Sequence, residues 1–205
     1  MRLNANALPL VAEMESRAAD LGIAWHSTPS GTRIGDCGVK GAGGLEAGIL
    51  LARTTMAGLG SVAVEQPGRL DAAFASLWPD CPWPVVAVDS AAPLAACLAA
   101  KYAGWKVAAD GFFAMASGPL RAAIGREPLF DVIGMRETAA DAVGVLETGR
   151  LPPDAVCREL AADAGVPPER LVLLVARTAS VAGTLQVVAR SLETALHKLH
   201  DLRFD

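Results

Sequence analysis

The sequence predicts a fold in which helices pack against mixed β-sheets, and three observations lead to that prediction. Residues 85–88 and 171–176 are fully apolar, and each segment is followed by a polar turn and then a helical pattern rich in small residues. Hydrophobic residues make up 52% of the 205 residues and charged residues 20%, which is enough to fill a substantial core. Aromatic residues are only 5%, so the elements are expected to pack closely.

The first part of the chain predicts a helix, a hairpin and a second helix. Asn4 or Asn6 can cap the first helix, Pro9 suits its first turn, and Gly22 ends it. A proline-serine-glycine turn at residues 29–31 joins two short strands into a hairpin. The predicted boundaries are 23–28 and 32–37 for the strands and 45–56 for the second helix.

A glycine-rich segment, residues 38–44, leads into the second helix. Loops of this kind can bind phosphate through their backbone N–H groups. The glycine spacing matches neither the P-loop nor the dinucleotide-binding motif, so a purely structural loop is favoured over a phosphate site.

The middle of the chain predicts strands separated by irregular segments. Prolines and glycines in residues 67–84 predict a short helix and an irregular crossing loop. The unbroken apolar run at 85–88 predicts a central strand with little solvent exposure, and 171–176 predicts another. The remaining predicted elements here are strands at 61–65 and 105–108, an apolar segment at 112–115, and helices at 91–102 and 119–124.

The last third predicts two strands, each followed by a helix. Residues 127–138 read as a loop with some helix, and the helix at 119–124 begins with a proline, where free backbone N–H groups can bind an anion. The other predicted elements are a strand at 141–148, a helix at 153–164, the strand at 171–176 and one long helix at 179–199.

The long C-terminal helix carries polar residues in steps of three and four along one face. They are Gly183, Gln186, Arg190, Glu193 and His197, opposite an apolar stripe. Arg190 and Glu193 are three residues apart, close enough to pair on the helix surface. The pattern is typical of an ordinary solvated face, but it also suits a functional row of an amide, a guanidinium, a carboxylate and an imidazole.

Composition and charge exclude several classes of protein. A net charge of −4 without any lysine or arginine cluster argues against a nucleic-acid partner. No apolar run reaches eighteen residues, so no membrane span is predicted, and no secretory stretch precedes the first helix. The cysteines match no zinc spacing and are predicted to be reduced thiols in a cytoplasmic protein: Cys37, Cys81, Cys97 and Cys157.

Several separated motifs resemble one family in the same order along the chain. They are NALPLV, DCGV, AACLAAKYAGW, MASGPLRA and VARTASVAGTLQVVARSLETALHKL, within residues 4–199. The sequence resembles the methenyltetrahydromethanopterin cyclohydrolase family, whose members continue for a substantial further segment. The resemblance therefore implies that the second lobe of the fold is incomplete. If the chain is a fragment, an exposed apolar patch larger than about 400 Å² is expected.

The resemblance also implies an overall architecture. It implies an α+β protein of two intertwined mixed α/β lobes with a cleft between them, residues 1–118 and 119–205, assembled as a cytoplasmic homotrimer. No metal and no permanently bound prosthetic group are implied; tetrahydromethanopterin, a pterin coenzyme, is the substrate.

The implied reaction is the reversible addition of water to the methenyl bridge of methenyl-tetrahydromethanopterin, which gives the N5-formyl compound in one-carbon metabolism, either formaldehyde oxidation in methylotrophy or methanogenesis. The family's catalytic glutamate and arginine correspond to Glu193 and Arg190. A carboxylate can take a proton from the attacking water, and a guanidinium can orient it and stabilise developing oxygen charge. Further substrate-binding candidates are Lys101, Tyr102, Ser117, Gly118, Asp89 and Gln186.

Two other functions remain open at this point. The chain could be a truncated, non-catalytic relative that binds a pterin or an anion, or an oligomerisation domain whose polar helix face forms a subunit contact. The depth of Arg190 and Glu193 distinguishes these cases, since a cleft favours catalysis and a flat surface favours assembly.

Overall fold

The computed structural model of the chain describes residues 2–66, 82–102, 104–109 and 111–204. Its strands are β1 Ala24–Ser27, β2 Arg33–Gly38, β3 Ser61–Glu65, β4 Val85–Asp89, β5 Trp105–Ala109, β6 Phe112–Ser117, β7 Ala142–Glu147 and β8 Leu171–Ala176. Its α-helices are α1 Leu3–Ser16, α2 Ala18–Leu21, α3 Leu45–Thr55, α4 Leu120–Ile124, α5 Leu129–Ile133, α6 Asp154–Ala164, α7 Val181–Val188 and α8 Ser191–Asp201. A π-helix spans Leu94–Lys101, and a 3₁₀ turn spans Pro168–Arg170. The predicted α+β class is confirmed.

Six strands form one mixed sheet in the order β1-β2-β8-β7-β6-β5. β8 runs parallel to both of its neighbours, and the other pairings are antiparallel. Every residue of β8 is buried, which confirms the prediction for residues 171–176. Strands from both predicted lobes, 1–118 and 119–205, lie in this sheet, and the division into these two lobes stays a prediction.

Helices cover both faces of the six-stranded sheet. The odd-numbered side chains of β8 pack with those of α4 and α6 on one face, and the even-numbered ones pack with those of α1 and α3 on the other. This arrangement follows from the alternation of side chains along a strand. A strand buried in this way must be apolar on both faces, as the sequence of β8 is.

The prediction that residues 85–88 form a central, buried strand is wrong. Among the described residues, β4 pairs with β3 alone in a separate two-stranded sheet, and its four valine and alanine residues are half-buried. Val86 and Val88 pack against a cluster that includes Met56 and Leu185. The described residues therefore cover this strand less completely than they cover β8.

The prediction of a single helix at 179–199 is also wrong, because this segment forms two helices. α7 ends before Ala189 and α8 begins after Arg190, whose φ and ψ of −83° and −7° are turn values. The apolar steps of three and four residues continue across the break, so periodicity alone does not reveal it. Ser180 caps α7 by accepting a hydrogen bond from the Gly183 amide at 3.1 Å.

The start of the chain differs from the sequence prediction in its capping. α1 begins at Leu3, and neither Asn4 nor Asn6 caps it. Asn4 is buried inside the helix, where its side chain reaches residues far along the chain. Much of the predicted helix and crossing loop at 67–84 lies outside the described residues. No helix in the described part of the chain is long and apolar enough to cross a membrane.

Candidate functional site

A cluster of charged side chains lies where β7, the π-helix and the α7–α8 junction meet. Arg190 is at the junction, and its Nη1 atom lies 3.1 and 3.3 Å from the two carboxylate oxygens of Glu147 at the end of β7. The Nε atom of Arg190 lies 3.5 Å from an oxygen of Glu193 in α8. Arg190 therefore bridges two carboxylates. We call Glu147, Arg190, Glu193 and Lys101 the charged cluster.

Glu193 is the most deeply placed carboxylate of the charged cluster, with 1% of its surface exposed. Burial raises the pKa of this carboxyl group, because the ionised form loses its hydration. Arg190, Lys101 and His197 act in the opposite direction and only partly offset the effect of burial. A buried carboxylate whose pKa is raised is a stronger base than an exposed one.

Lys101 ends the π-helix and is fully buried. Its ammonium nitrogen donates a hydrogen bond to the Thr55 hydroxyl at 2.8 Å. Burial and, secondly, the positive charge of Arg190 lower the pKa of Lys101 to about 7, while Glu193 and Glu147 counteract the shift. The side chain can therefore lose its proton close to neutral pH.

Tyr102 and His197 extend the site beyond the charged cluster. Their rings are stacked, with centroids 4.2 Å apart and planes 10° apart. Both line a cavity of about 470 Å³, whose lining also includes Glu127 and Asp201. Glu193 and Arg190 do not line this cavity, so it lies beside the charged cluster rather than over it.

Ser117 and Gln186 are buried polar residues whose side chains have no hydrogen-bond partner in the part of the chain that the structure describes. The Ser117 hydroxyl and both polar atoms of the Gln186 amide are unpaired. Buried polar groups are seldom left unpaired, because each costs free energy. These two side chains are therefore available to a ligand or to bound water.

Gly118 and Asp89 are the remaining binding residues that the sequence predicts. Gly118 has a φ of +94°, which favours glycine, and its amide donates to the Ala100 carbonyl at 2.8 Å. That N–H group is consequently not free for an anion. Asp89 is exposed at the end of β4, and no hydrogen bond or ion pair among the described residues joins it to the charged cluster.

The glycine-rich segment does not present a phosphate site. The Asp36 carboxylate accepts hydrogen bonds from four backbone amides of the segment, those of Gly38, Val39, Lys40 and Gly41. Burial acts to raise the pKa of Asp36, but these four bonds outweigh it, and the pKa is lowered. The amides that would cradle a phosphate are thus occupied by the chain's own carboxylate, as a structural loop requires.

Sequence analysis missed two residues of the site. Glu147 is the polar residue at the carboxyl end of a buried strand, a position where ligand sites are common, and that signal could have identified it. Thr55 carries no comparable signal, because a threonine near the end of a helix is ordinary. His197, the last member of the predicted polar face, stacks on Tyr102.

Comparisons with known proteins agree over nearly the whole chain. A family model described as cyclohydrolase (MCH) matches residues 2–205. Proteins named methenyltetrahydromethanopterin cyclohydrolase are similar: one from Methylobacillus flagellatus is 43% identical over 196 residues, which is 96% of this chain and 57% of that protein. Others from a Methylobacterium species and Methanospirillum hungatei are 41% and 37% identical over 99% of this chain, and over 61% and 62% of their own lengths. The chain thus spans less than two thirds of these relatives.

Proposed function

The chain belongs to the cyclohydrolase (MCH) family, and from this we propose that it adds water to the methenyl bridge of methenyl-tetrahydromethanopterin. The product is N5-formyl-tetrahydromethanopterin, and the reaction is reversible. The observation that carries the proposal is the pairing of Glu193, buried and with a raised pKa, with Arg190. Burial of Glu193 favours a catalytic cleft over a flat subunit contact.

The chemistry of the substrate explains why a buried carboxylate is useful. The methenyl carbon lies between two nitrogens that share one positive charge, so it is already electrophilic. Glu193 takes a proton from water as the water oxygen bonds to that carbon. The bond from carbon to the second nitrogen then breaks, and Glu193 returns the proton to that nitrogen. The other proton of the water is released to solvent.

Arg190 and Lys101 support the same step in different ways. Arg190 orients the Glu193 carboxylate and stabilises negative charge on oxygen at the tetrahedral stage. Lys101, with its pKa lowered to about 7, adds little positive charge above that pH. Two carboxylates then face one guanidinium, and the resulting net negative charge suits a cationic substrate.

The remaining substrate-binding roles follow from position and pairing. Tyr102 lines the cavity with its ring stacked on His197, and Lys101 precedes it in the chain. Ser117 and Gln186 offer unpaired polar atoms, and we assign them, with Gly118 and Asp89, to binding of the pterin and its tail. We further propose that the protein acts in the cytoplasm as a homotrimer in one-carbon metabolism, in formaldehyde oxidation during methylotrophy or in methanogenesis.

A spectrophotometric assay of ring opening tests the proposal. Loss of the methenyl chromophore above the uncatalysed rate is the expected result with this chain. Binding of the pterin without turnover would overturn the proposal in favour of a non-catalytic binder. Sedimentation of the chain at micromolar concentration tests the trimer separately, since a monomer under those conditions contradicts it.

A further inference from the structure

Glu147 is a nearly buried carboxylate, and the reaction proposed above gives it no step. Its side chain is 8% exposed, and it stands at the end of β7, opposite Met115 of β6 and Ala176 of β8. Both of its oxygens face the same nitrogen of Arg190. A buried carboxylate is costly unless it is paired, and Arg190 provides that pairing for Glu147.

The two carboxylates of the charged cluster share Arg190 unequally. Glu147 lies 3.1 Å from the guanidinium, a normal hydrogen-bond length, whereas Glu193 lies 3.5 Å from it, at the limit of such a bond. The positive charge of Arg190 is therefore directed more towards Glu147. Glu193 keeps only the weaker contact.

We propose that Glu147 is a positioning residue that holds Arg190 back from Glu193 and so keeps Glu193 a strong enough base to activate water. This inference rests on the proposed function, because it assigns Glu147 to the same reaction. A guanidinium bound fully to Glu193 would stabilise the carboxylate and weaken it as a base. Glu147 neutralises part of that charge while leaving Arg190 near the reacting atoms.

The charges around Glu193 determine whether removal of the Glu147 charge raises or lowers the pKa of Glu193. Lys101 and Cys97 face it from the π-helix, His197 lies one turn away in α8, and Arg190 lies at the junction. Removing the negative charge of Glu147 leaves these surroundings more positive, which favours ionised Glu193. The same removal disfavours protonated Lys101, because Glu147 acts to raise the pKa of that lysine.

The test is to titrate the Glu193 carboxyl group directly in Glu147→Gln. Carbon-13 labelling of glutamate side chains gives a carboxyl resonance for Glu193, identified by its absence in Glu193→Gln. Glutamine can still accept from Arg190, so the variant removes charge with little change in shape. The midpoint of the Glu193 titration should fall by about one pH unit relative to the unsubstituted chain. An unchanged or higher midpoint overturns the proposal.

Glu15→Gln is the matched control, because it removes the same charge from an ion pair with Arg33 outside the charged cluster. Its Glu193 midpoint should equal that of the unsubstituted chain. Should Glu147→Gln fail to fold, Glu147→Asp is titrated instead. Its carboxylate is one methylene farther from Arg190, so the Glu193 midpoint should fall by less than about one pH unit, and a midpoint equal to that of the unsubstituted chain overturns the proposal.

Measurements of turnover distinguish a failure of this inference from a failure of the proposed function. In an active protein, the acid limb of the pH–rate profile should move to lower pH in Glu147→Gln, and the rate on the plateau should fall about three- to tenfold, since a weaker base is less effective. A chain without any cyclohydrolase activity overturns the proposed function. The titration of Glu193 still decides whether Glu147 controls its proton affinity.

Discussion

Glu193 and Lys101 are buried ionisable side chains of opposite type in one charged cluster. Burial raises the pKa of Glu193 and lowers that of Lys101 to about 7, so both groups move towards neutrality. Ionisable groups shifted in this way are common at functional sites. The cluster thus places a carboxyl group of raised pKa beside an amine that can lose its proton near pH 7.

Replacement of Glu193 by glutamine should abolish most turnover while leaving pterin binding nearly intact. Glutamine keeps the size and one acceptor oxygen but cannot accept a proton from water, and a general base contributes about 10²- to 10⁴-fold. Steady-state rates and ligand-induced thermal stabilisation measure the two effects. Arg190→Lys should also slow the reaction, because lysine lacks the planar guanidinium that spans two carboxylates. Near-normal turnover of Glu193→Gln would place the base elsewhere.

Replacement of Lys101 by methionine should change the pH dependence of stability. The folded-state pKa is about 7 and the ordinary value is 10.5, so between these values the unfolded chain binds the extra proton. The free energy of unfolding of the unsubstituted chain therefore gains about 1.4 kcal/mol per pH unit from this residue between pH 7 and 10. Lys101→Met lacks that gain, so its stability relative to the unsubstituted chain should be greatest near pH 6 and decline towards pH 10.

Urea unfolding at several pH values measures this difference. Lys198→Met is the control, because that lysine is exposed on α8 and its replacement should leave the pH dependence unchanged. A difference between Lys101→Met and the unsubstituted chain that is constant from pH 6 to 10 contradicts the prediction.

At the scale of elements, the π-helix depends on one buried arginine. The Arg121 guanidinium pairs with Glu127 through two hydrogen bonds of 2.9 Å and donates to the Leu98 carbonyl at 3.0 Å. It also lies 5.0 Å from the centre of the Tyr102 ring. A helix end leaves carbonyls unpaired, and here Arg121 satisfies one of them. The segment carrying Lys101 and Tyr102 is thereby anchored to α4.

Replacement of Arg121 by methionine should destabilise the protein by about 3–5 kcal/mol. Methionine fills similar space but leaves Glu127 and a helix carbonyl without their partner, and losing one member of a buried ion pair is costly. Denaturant unfolding measures the loss. Arg126→Met is the matched control: its arginine pairs with Asp163 but is 66% exposed, so a change below about 1 kcal/mol is expected. Equal losses in the two variants would show that burial of Arg121 is unimportant.

The sequence was sufficient to predict most of the elements and three of the four residues of the charged cluster. The strand at 61–65 and the helix beginning at Leu45 lie where their sequences predict, because turn residues and apolar spacing are local signals. The pairing of Arg190 with Glu193 follows from a spacing of three residues. Glu147 joins them through the order of strands in the sheet, which no local pattern encodes. The π-helix and the α7–α8 break were missed for a similar reason, since their composition is that of ordinary helices.

At the scale of the whole molecule, Asn4 connects the start of the chain to its second half. Its amide nitrogen donates to the Pro119 carbonyl and to Glu137 at 3.1 Å each, and its oxygen accepts from the Val143 amide at 2.9 Å. The last contact joins residues 139 positions apart. α1 is therefore held to β7 and to α4 by polar bonds as well as by apolar packing.

Replacement of Asn4 by alanine should lower the free energy of unfolding by about 2–4 kcal/mol. The change leaves the buried Val143 amide unpaired, which costs about 1–3 kcal/mol, and it removes the hydrogen bonds to Pro119 and Glu137, each worth about 1 kcal/mol. Asn6→Ala is the control, since Asn6 is exposed in the same helix and alanine is a better helix former. Chemical denaturation should show Asn6→Ala to be neutral or slightly stabilising. Similar values for the two variants would contradict the assignment of Asn4 as a long-range connector.

The stack of Tyr102 on His197 has a practical consequence, because Tyr102 is the chain's single tyrosine. Burial raises the pKa of its phenol, with a further contribution from Glu127, so the ring stays neutral at physiological pH. Incorporation of fluorotyrosine therefore places one fluorine label beside the cavity and nowhere else. A fluorine spectrum of the protein would contain a single protein signal, and its movement on addition of a ligand would report directly from the candidate site.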